Sequence, residues 1–482
     1  MVTVNTNIEA YYADICDEIR LFFDVRKIPM TGEISQEGIH IKHHCKEDKA
    51  FTHTCEIFRD SKIVIVEEYI TEKVAEKNLL EYKKVRKRGA KIVVYRALSA
   101  YTKERKPWGS LTGIRPTKLF RDTAEEIGKA ETEKIFRDTF DVRDEKIALV
   151  KEICAYQKDI LSTVTKQSMD LYIGIPFCTS RCAYCSFFAA NTSKDGALEE
   201  AYVNALLKEI DMLPQLLENF QVRSVYVGGG TPTALSASLL ERIFKKVAPY
   251  GKGEFTVEAG RPDTITKEKV EILKNAEVNR ISINPQTLHD GTLEKIGRSH
   301  TAADFYKAAE LAQMFDFPVT NMDLIVGLPG ETKEDFLSTL ERVVSLAPEN
   351  ITVHTLAIKR ASTFGMTYAG QFAEAKETEE TIDAAFHRLK DASYLPYYMY
   401  RQKYMSGNME NIGYAKEGTF CIYNVDIMEE AVSILALGAG AASKRVFPTE
   451  NRIERYMGIK DVRQYVARID EIIEKKQAFF AG

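Results

Sequence analysis

The chain reads as an α/β protein in three parts: a small N-terminal α+β domain with linking helices over residues 1–165, a partial (β/α)6 barrel over 166–385, and a C-terminal covering domain over 386–482. Three observations predict this. At 482 residues the chain exceeds one ordinary hydrophobic core, so more than one domain is expected. From residue 170 to about 358 short apolar runs alternate with amphipathic stretches, the pattern of βαβ units and a parallel sheet. The first of those runs stops at Pro176, immediately before a loop rich in cysteine, and the carboxyl end of a strand is where barrel proteins keep their chemistry.

Six strands are expected in the barrel: Leu171 to Ile175, Ser224 to Val227, Glu254 to Glu258, Arg280 to Asn284, Thr320 to Val326 and Ile351 to Ala357. Helices are expected between them, among them Glu199 to Phe220 and Glu331 to Ser345. Six units are too few to close an eight-unit barrel, and the splayed form leaves a lateral opening wide enough for a bulky substrate. Ahead of the barrel, Gly38 to His44, Ala50 to Phe58 and Lys62 to Glu67 read as a meander, Glu72 to Arg88 as a helix and Lys91 to Arg96 as a further strand. The basic run Lys83 to Arg88 reads as a solvated helix end. His40, His43, His44 and His53 crowd with Cys45 and Cys55 but show no fixed metal-ligand spacing.

Cys178, Cys182 and Cys185 follow the spacing C-x3-C-x2-C and supply three thiolates from one loop. A four-iron cubane held by three thiolates keeps one iron without a protein ligand, and catalytic metal sites need such an open position. That iron can chelate the amino and carboxylate groups of S-adenosylmethionine, whose reductive cleavage yields a 5′-deoxyadenosyl radical. The spacing matches the radical SAM signature. A zinc knuckle or redox pair also uses C-x2-C, with Cys154 or Cys421 as a distant fourth ligand, but the flanking strand and Pro176 speak for the cluster loop.

Several strands end in residues suited to holding a cofactor. Gly228-Gly229-Gly230-Thr231-Pro232 lets the backbone approach a ligand without Cβ interference, Glu258 ends the third strand, Gln286 follows the fourth, Arg298 lies in the next connection and Asp323 is in the fifth. Each is open to a structural reading as turn, cap or surface residue. The net charge of −4 gives no global reason to expect nucleic acid, no apolar run reaches membrane-spanning length, and the N-terminus carries no signal peptide. A cytoplasmic chain is expected, with its eight cysteines as thiols or metal ligands.

From about Trp108 onward the chain resembles the oxygen-independent coproporphyrinogen III oxidases, or coproporphyrinogen dehydrogenases, and in particular their HemZ branch. Besides the cysteine loop, the resemblance rests on Pro107-Trp-Gly-Ser-Leu-Thr-Gly-Ile-Arg-Pro116, Gly228 to Thr233, Arg280-Ile-Ser-Ile-Asn-Pro-Gln286, Asp323-Leu-Ile-Val-Gly-Leu-Pro329, Val353 to Arg360, Tyr398 to Gln402, Asn411 to Tyr414 and Leu437 to Ala441. It implies a [4Fe-4S] cluster, S-adenosylmethionine, a porphyrinogen substrate and a reducing donor of flavodoxin or ferredoxin type. The implied reaction converts two propionates of coproporphyrinogen III to vinyl groups in anaerobic haem biosynthesis. Tyr172 matches a tyrosine near the first S-adenosylmethionine and is the candidate catalytic residue. Gly229, Gly230, Thr231, Glu258, Gln286, Arg298 and Asp323 match the cofactor lining, and Ile325 a residue near a second S-adenosylmethionine.

Departures from the main oxidase branch are Phe187, where that branch has a further cysteine, and Gly174, where it has a histidine. The sister HemW haem chaperones use a C-terminal His-Asn and Tyr-Trp pattern that reads Glu410-Asn411 and Tyr414-Ala415 here. Other radical SAM reactions on a tetrapyrrole, methyl transfer or ring cleavage, and noncatalytic haem carriage are the alternatives. A tetracarboxylate needs cations, for which Lys359, Arg360, Arg401, Lys403, Lys444 and Arg445 are candidates, and His354 is a candidate to face the cavity.

Overall fold

The computed structural model describes every residue except 26, 35–36, 76–77, 186, 188, 193–195, 358–362, 369–370, 403–404, 451 and 482. The chain divides into two compact units, one built from residues 1–151 with short pieces around 401–403 and 407–409, the other from the remainder.

In the first unit, strands β1 (Val2–Thr6), β2 (Ile39–Glu47), β3 (Ala50–Arg59) and β4 (Lys62–Glu72) form a four-stranded sheet in that order. β1 pairs parallel to β2, and the meander β2-β3-β4 is antiparallel. Alternate positions such as Ile41, Cys55, Ile57 and Ile65 turn to one face and pack on helices Tyr12–Phe22 and Leu79–Thr102 through Ile15, Ile19, Val93 and Leu98.

The expected strand Lys91 to Arg96 is instead the second half of helix Leu79–Thr102. A short β-branched run suits a buried helix segment as well as a strand, and here Ile92, Val93, Val94 and Tyr95 are all buried. The helix starts later than expected, because Glu72 still belongs to β4 and the side chain of Asn78 caps it by accepting from the Glu81 N–H. The run Lys83 to Arg88 therefore lies inside the helix, not at its end, where Lys84, Arg86 and Lys87 pair with Glu81, Glu47 and Asp14.

The second unit is organised on one eleven-stranded sheet. Its strands are β5 (Ser168–Ile175), β8 (Gln221–Gly229), β9 (Glu254–Gly260), β10 (Arg280–Ile283), β11 (Val319–Val326), β12 (Asn350–Thr355), β13 (Leu395–Tyr400), β14 (Asn411–Ala415), β15 (Ser433–Leu437), β16 (Ala442–Phe447) and β17 (Arg452–Met457). A two-stranded ribbon, β6 (Phe177–Cys178) with β7 (Ala190–Asn191), carries the start of the cysteine loop. The order is β13-β14-β12-β11-β10-β9-β8-β5-β15-β16-β17.

β5, β8, β9, β10, β11 and β12 are parallel neighbours, and all six expected strands are among them. The sheet stays open. The chain after residue 386 supplies its edges: β14 and β13 add antiparallel beside β12, while β15 adds parallel beside β5. The expected helix Glu199 to Phe220 is broken into Ala197–Ile210 and Leu213–Leu216, with Pro214 in the first turn of the second piece, where its missing N–H costs nothing.

Along the parallel strands, Leu171, Ile173, Val225, Val227, Phe255, Val257, Ile281, Ile283, Leu324 and Ile351 occupy one parity and are buried. The other parity is polar: Asp170, Tyr172, Ser224, Tyr226, Thr256, Glu258, Ser282, Asn321, Asp323, Thr352 and His354. Two-residue periodicity thus separates an apolar face from a polar interior.

Candidate functional site

The polar interior is joined by hydrogen bonds from strand to strand. Ser224 donates to Asp170 Oδ1 at 2.7 Å, Tyr226 Oη to Glu258 Oε1 at 2.5 Å, Asn321 Nδ2 to Ser282 Oγ and Asp323 Oδ1 at 2.8 Å each, and Thr352 to Asn321 Oδ1 at 3.1 Å. Above this layer, at or just beyond the carboxyl ends of the strands, lie Gly174, Gly228, Gly260, Gln286 and Ile325.

Cys178 sits at the end of β6, where its Sγ lies 3.5 Å from the Thr231 hydroxyl. Ala183 N–H donates to Ile296 O and Ser180 Oγ to Gly297 O, tying the loop to the segment after β10. Burial pushes the Cys178 and Cys185 thiols up. Among the described residues no three of His, Cys, Asp or Glu converge on a single-ion site. A cubane does not ask them to, since each thiolate binds a different iron of the cluster. Cys421 is remote: its Sγ lies 3.3 Å from Glu254 Oε1 at the opposite end of β9, so it is no fourth ligand.

The glycine run keeps space clear on two sides. A Cβ on Gly228 would stand 2.8 Å from Glu258 Oε2, and one on Gly230 would stand 2.5 Å from Phe177 O. Gly229, at φ +111°, lets its own N–H point toward Glu258 Oε2 at 3.4 Å. Gly230 and Thr231 N–H groups instead bond Ile175 O and Phe177 O, so they hold the cysteine ribbon in place.

Glu258 is half-buried with Tyr226 as its donor, and burial pushes its carboxyl up to about 7. Tyr172 stacks with Tyr226 and Tyr423, with centroids 6.3 and 6.2 Å away, and burial raises its hydroxyl pKa. Gln286 takes φ +66°, uncommon for a side chain of this kind, and its Oε1 is buried without a partner among the described residues. Burial opposes the Asp323 charge, yet His354, with Nε2 at 3.5 Å, together with Asn321 and Thr352 holds the carboxyl below its ordinary value. Tyr400 Oη meets His354 Nδ1 at 3.3 Å, so His354 does face the interior.

Arg298 stands apart from the other acceptors and donors. Its guanidinium bonds Tyr184 Oη at 3.1 Å and the carbonyls of Gly260 and Asn284, bracing the cysteine loop against two strand ends. Ile325 packs in an apolar cluster with Leu293, Ile296 and Leu356, and Tyr184 borders it.

Of the candidate cations, Lys359, Arg360 and Lys403 lie outside the described residues. Arg401 is buried over Trp108 and bonds the carbonyls of Leu111 and Asn408; Arg445 bonds Phe479 O. Lys444 pairs with Ile434, itself opposite Asp170, toward the end of the sheet away from the cysteines. In the first unit, His43 Nε2 meets His53 Nδ1 at 3.1 Å and His40 Nδ1 meets Thr3 Oγ1 at 2.8 Å, contacts that join strands.

The family model of the radical SAM superfamily matches residues 172–343, the segment that holds the cysteine loop and the polar interior. The "oxygen-independent coproporphyrinogen-III oxidase-like protein HemZ" of Bacillus subtilis is 37% identical over 79% of this chain and 78% of its own length. The chain belongs to the HemZ family. As a radical SAM protein it uses a [4Fe-4S] cluster and S-adenosylmethionine.

The "heme chaperone HemW" of Haemophilus influenzae is 31% identical over 64% of this chain and 78% of its own length. The solved Escherichia coli HemN, a coproporphyrinogen III oxidase, superposes with a TM-score of 0.52 at 21% identity, covering 66% of this chain and 72% of its own, which supports the shared fold. The HemZ family member has glycine at position 174 for a visible reason. A Cβ there would stand 3.3 Å from Leu437 O at the end of β15 and 3.6 Å from the Ala441 side chain, so a larger residue would meet these neighbours closely.

Residue parity along β8 is the signal that locates Tyr226, two residues before Gly228 on the same face. Arg261 and Tyr184 carry no such signal, because their contacts depend on how separate strand ends meet.

Proposed function

We propose that this chain decarboxylates the propionate side chains of coproporphyrinogen III to vinyl groups, giving protoporphyrinogen IX. The observation that carries this reading is the likeness to HemZ across 78% of that protein. The three cysteines of the loop that starts at the end of β6 and the polar interior of the open sheet would supply the means.

Cys178, Cys182 and Cys185 would hold the cluster and leave one iron open. With S-adenosylmethionine bound there, the cofactors supply a radical able to remove a hydrogen atom from the propionate β-carbon. Per propionate, that hydrogen atom would pass to the radical, carbon dioxide would leave, one electron would go to an external one-electron acceptor, and the vinyl group would remain. The chain's own part is placement and protection. Ionised Glu258 would meet the methionine amino group beside the backbone of Gly229 and Gly230, and Thr231 would keep Cys178 in register. Gln286 Oε1, buried without a partner among the described residues, would accept from the cofactor.

Asp323, held ionised by His354, suits the ribose hydroxyls, with Ile325 forming the adjoining apolar wall where a second S-adenosylmethionine would bind. Arg298 holds the loop through Tyr184. Tyr172, in its tyrosine stack, would border the reacting atoms. A flavodoxin or ferredoxin would supply the reducing electron.

A second reading, haem carriage, is favoured by the likeness to HemW. The positions compared with that family's His-Asn and Tyr-Trp pairs hold Glu410-Asn411 and Tyr414-Ala415 instead. Anaerobic incubation of reduced protein with S-adenosylmethionine and coproporphyrinogen III tests both. Carbon dioxide release through a one-vinyl intermediate supports the decarboxylase. S-adenosylmethionine cleavage with bound but unchanged substrate points to methyl transfer or ring cleavage, and stable haem binding without turnover points to the carrier.

A further inference from the structure

Arg261 is a cation that neither the sequence patterns nor the family resemblance assigns. It follows β9 directly and is 2% exposed. Its Nη1 donates to Ser180 O at 3.0 Å and Ser180 Oγ at 2.8 Å, and lies 3.9 Å from Cys182 Sγ, within the sulfur hydrogen-bond range. The rest of the guanidinium faces Asp263 as a fork, Nε to Oδ1 at 3.1 Å and Nη2 to Oδ2 at 3.3 Å.

Thr179, beside Cys178, donates to the same carboxylate at 3.2 Å. His300 is buried with its Nδ1 4.0 Å from Asp263; burial pushes it down to about 4, so at neutral pH it adds no charge. Arg298, a second, half-buried cation near the loop, is bonded to Tyr184 and two carbonyls, and Arg181, in the loop itself, is exposed.

We propose that Arg261 sets the reduction potential of the cluster through Cys182, with Asp263 tempering its charge. A thiolate that accepts an N–H gives less electron density to iron, and a buried cation nearby stabilises the more negative reduced cluster. Both effects raise the potential, and the burial of the guanidinium keeps its charge little screened. Asp263 opposes them by drawing on the same guanidinium. The inference rests on the three-cysteine cluster of the proposed function.

The test is a redox titration of anaerobically reconstituted protein followed by paramagnetic resonance, on the parent and on Arg261→Met, Arg261→Lys and Asp263→Asn. Arg261→Met is expected to lower the reduced-to-oxidised ratio at a fixed potential about tenfold, or about 59 mV for one electron. Arg261→Lys keeps the charge but not the fork and falls between, while Asp263→Asn shifts the ratio upward. An unchanged midpoint in Arg261→Met with its irons in place, or shifts of the same sign in Arg261→Met and Asp263→Asn, overturns the proposal and leaves a structural clip. If Arg261→Met loses iron, Asp263→Asn decides alone, and a midpoint that fails to rise overturns it. Absence of a four-iron signal in the parent would instead sink the cluster reading itself.

Discussion

Glu258 shows how the fold changes the proton affinity of one side chain. Its carboxyl is pushed up to about 7 by burial from an ordinary 4.5, so the folded state holds that proton more tightly than the unfolded chain. The associated stability is therefore complete below the unfolded value and is lost as pH rises from about 4.5 to 7. Glu258→Gln removes the slope: denaturant unfolding of the cofactor-free variant should show about 3 kcal/mol more stability than the parent at pH 8 and little difference near pH 4. S-adenosylmethionine affinity should rise from pH 6 to 8 in the parent and stay flat in the variant. Asp323 has the opposite sign. Its carboxyl is held down by His354, so it stabilises above its unfolded value, and that contribution is lost as pH falls through the folded value. His354→Phe should cost about 1.5 to 3 kcal/mol and begin acid unfolding at higher pH, read by fluorescence or circular dichroism. Glu258 and Asp323 were legible because acids in or at the end of a strand stand out in an apolar run. The Tyr226 and His354 contacts were not, because they require knowing which strands adjoin.

At the scale of elements, the short helix Ile422–Glu429 illustrates a feature with no local signature. Its first N–H groups, from Ile422 and Tyr423, are accepted by Glu254 at 2.6 and 2.9 Å, and Arg280 approaches the same carboxylate at 3.6 Å. A carboxylate from the start of β9 thus caps a helix more than a hundred residues later. Glu254→Ala leaves Arg280 buried without that partner and uncaps the helix that carries Tyr423 against Tyr226, whose ring centroids are 4.3 Å apart. The expected loss is about 3 kcal/mol in chemical unfolding; a loss under about 0.5 kcal/mol would mean the cap is dispensable. The six parallel strands were legible since each is a short apolar run with regular spacing. The helical fate of Lys91 to Arg96 was not, because β-branched residues satisfy either period and only packing against the four-stranded sheet decides.

For the whole molecule, the decisive property is that the sheet remains open while its parallel strands all direct polar side chains to one face. The strands after residue 386 extend that sheet on both edges, an arrangement that sequence periodicity does not reveal because pairing partners are set by tertiary contacts. No helix among the described residues is long and apolar enough to cross a membrane. The central claim is that Cys178, Cys182 and Cys185, at the end of this face, carry the radical chemistry. Its most direct test is anaerobic iron and sulfide analysis with reductant-dependent 5′-deoxyadenosine formation in the parent, Cys182→Ala and Cys421→Ala. The account predicts one four-iron cluster and nucleoside product in the parent and in Cys421→Ala, and neither in Cys182→Ala. An intact cluster in Cys182→Ala, or its loss in Cys421→Ala alone, would contradict it.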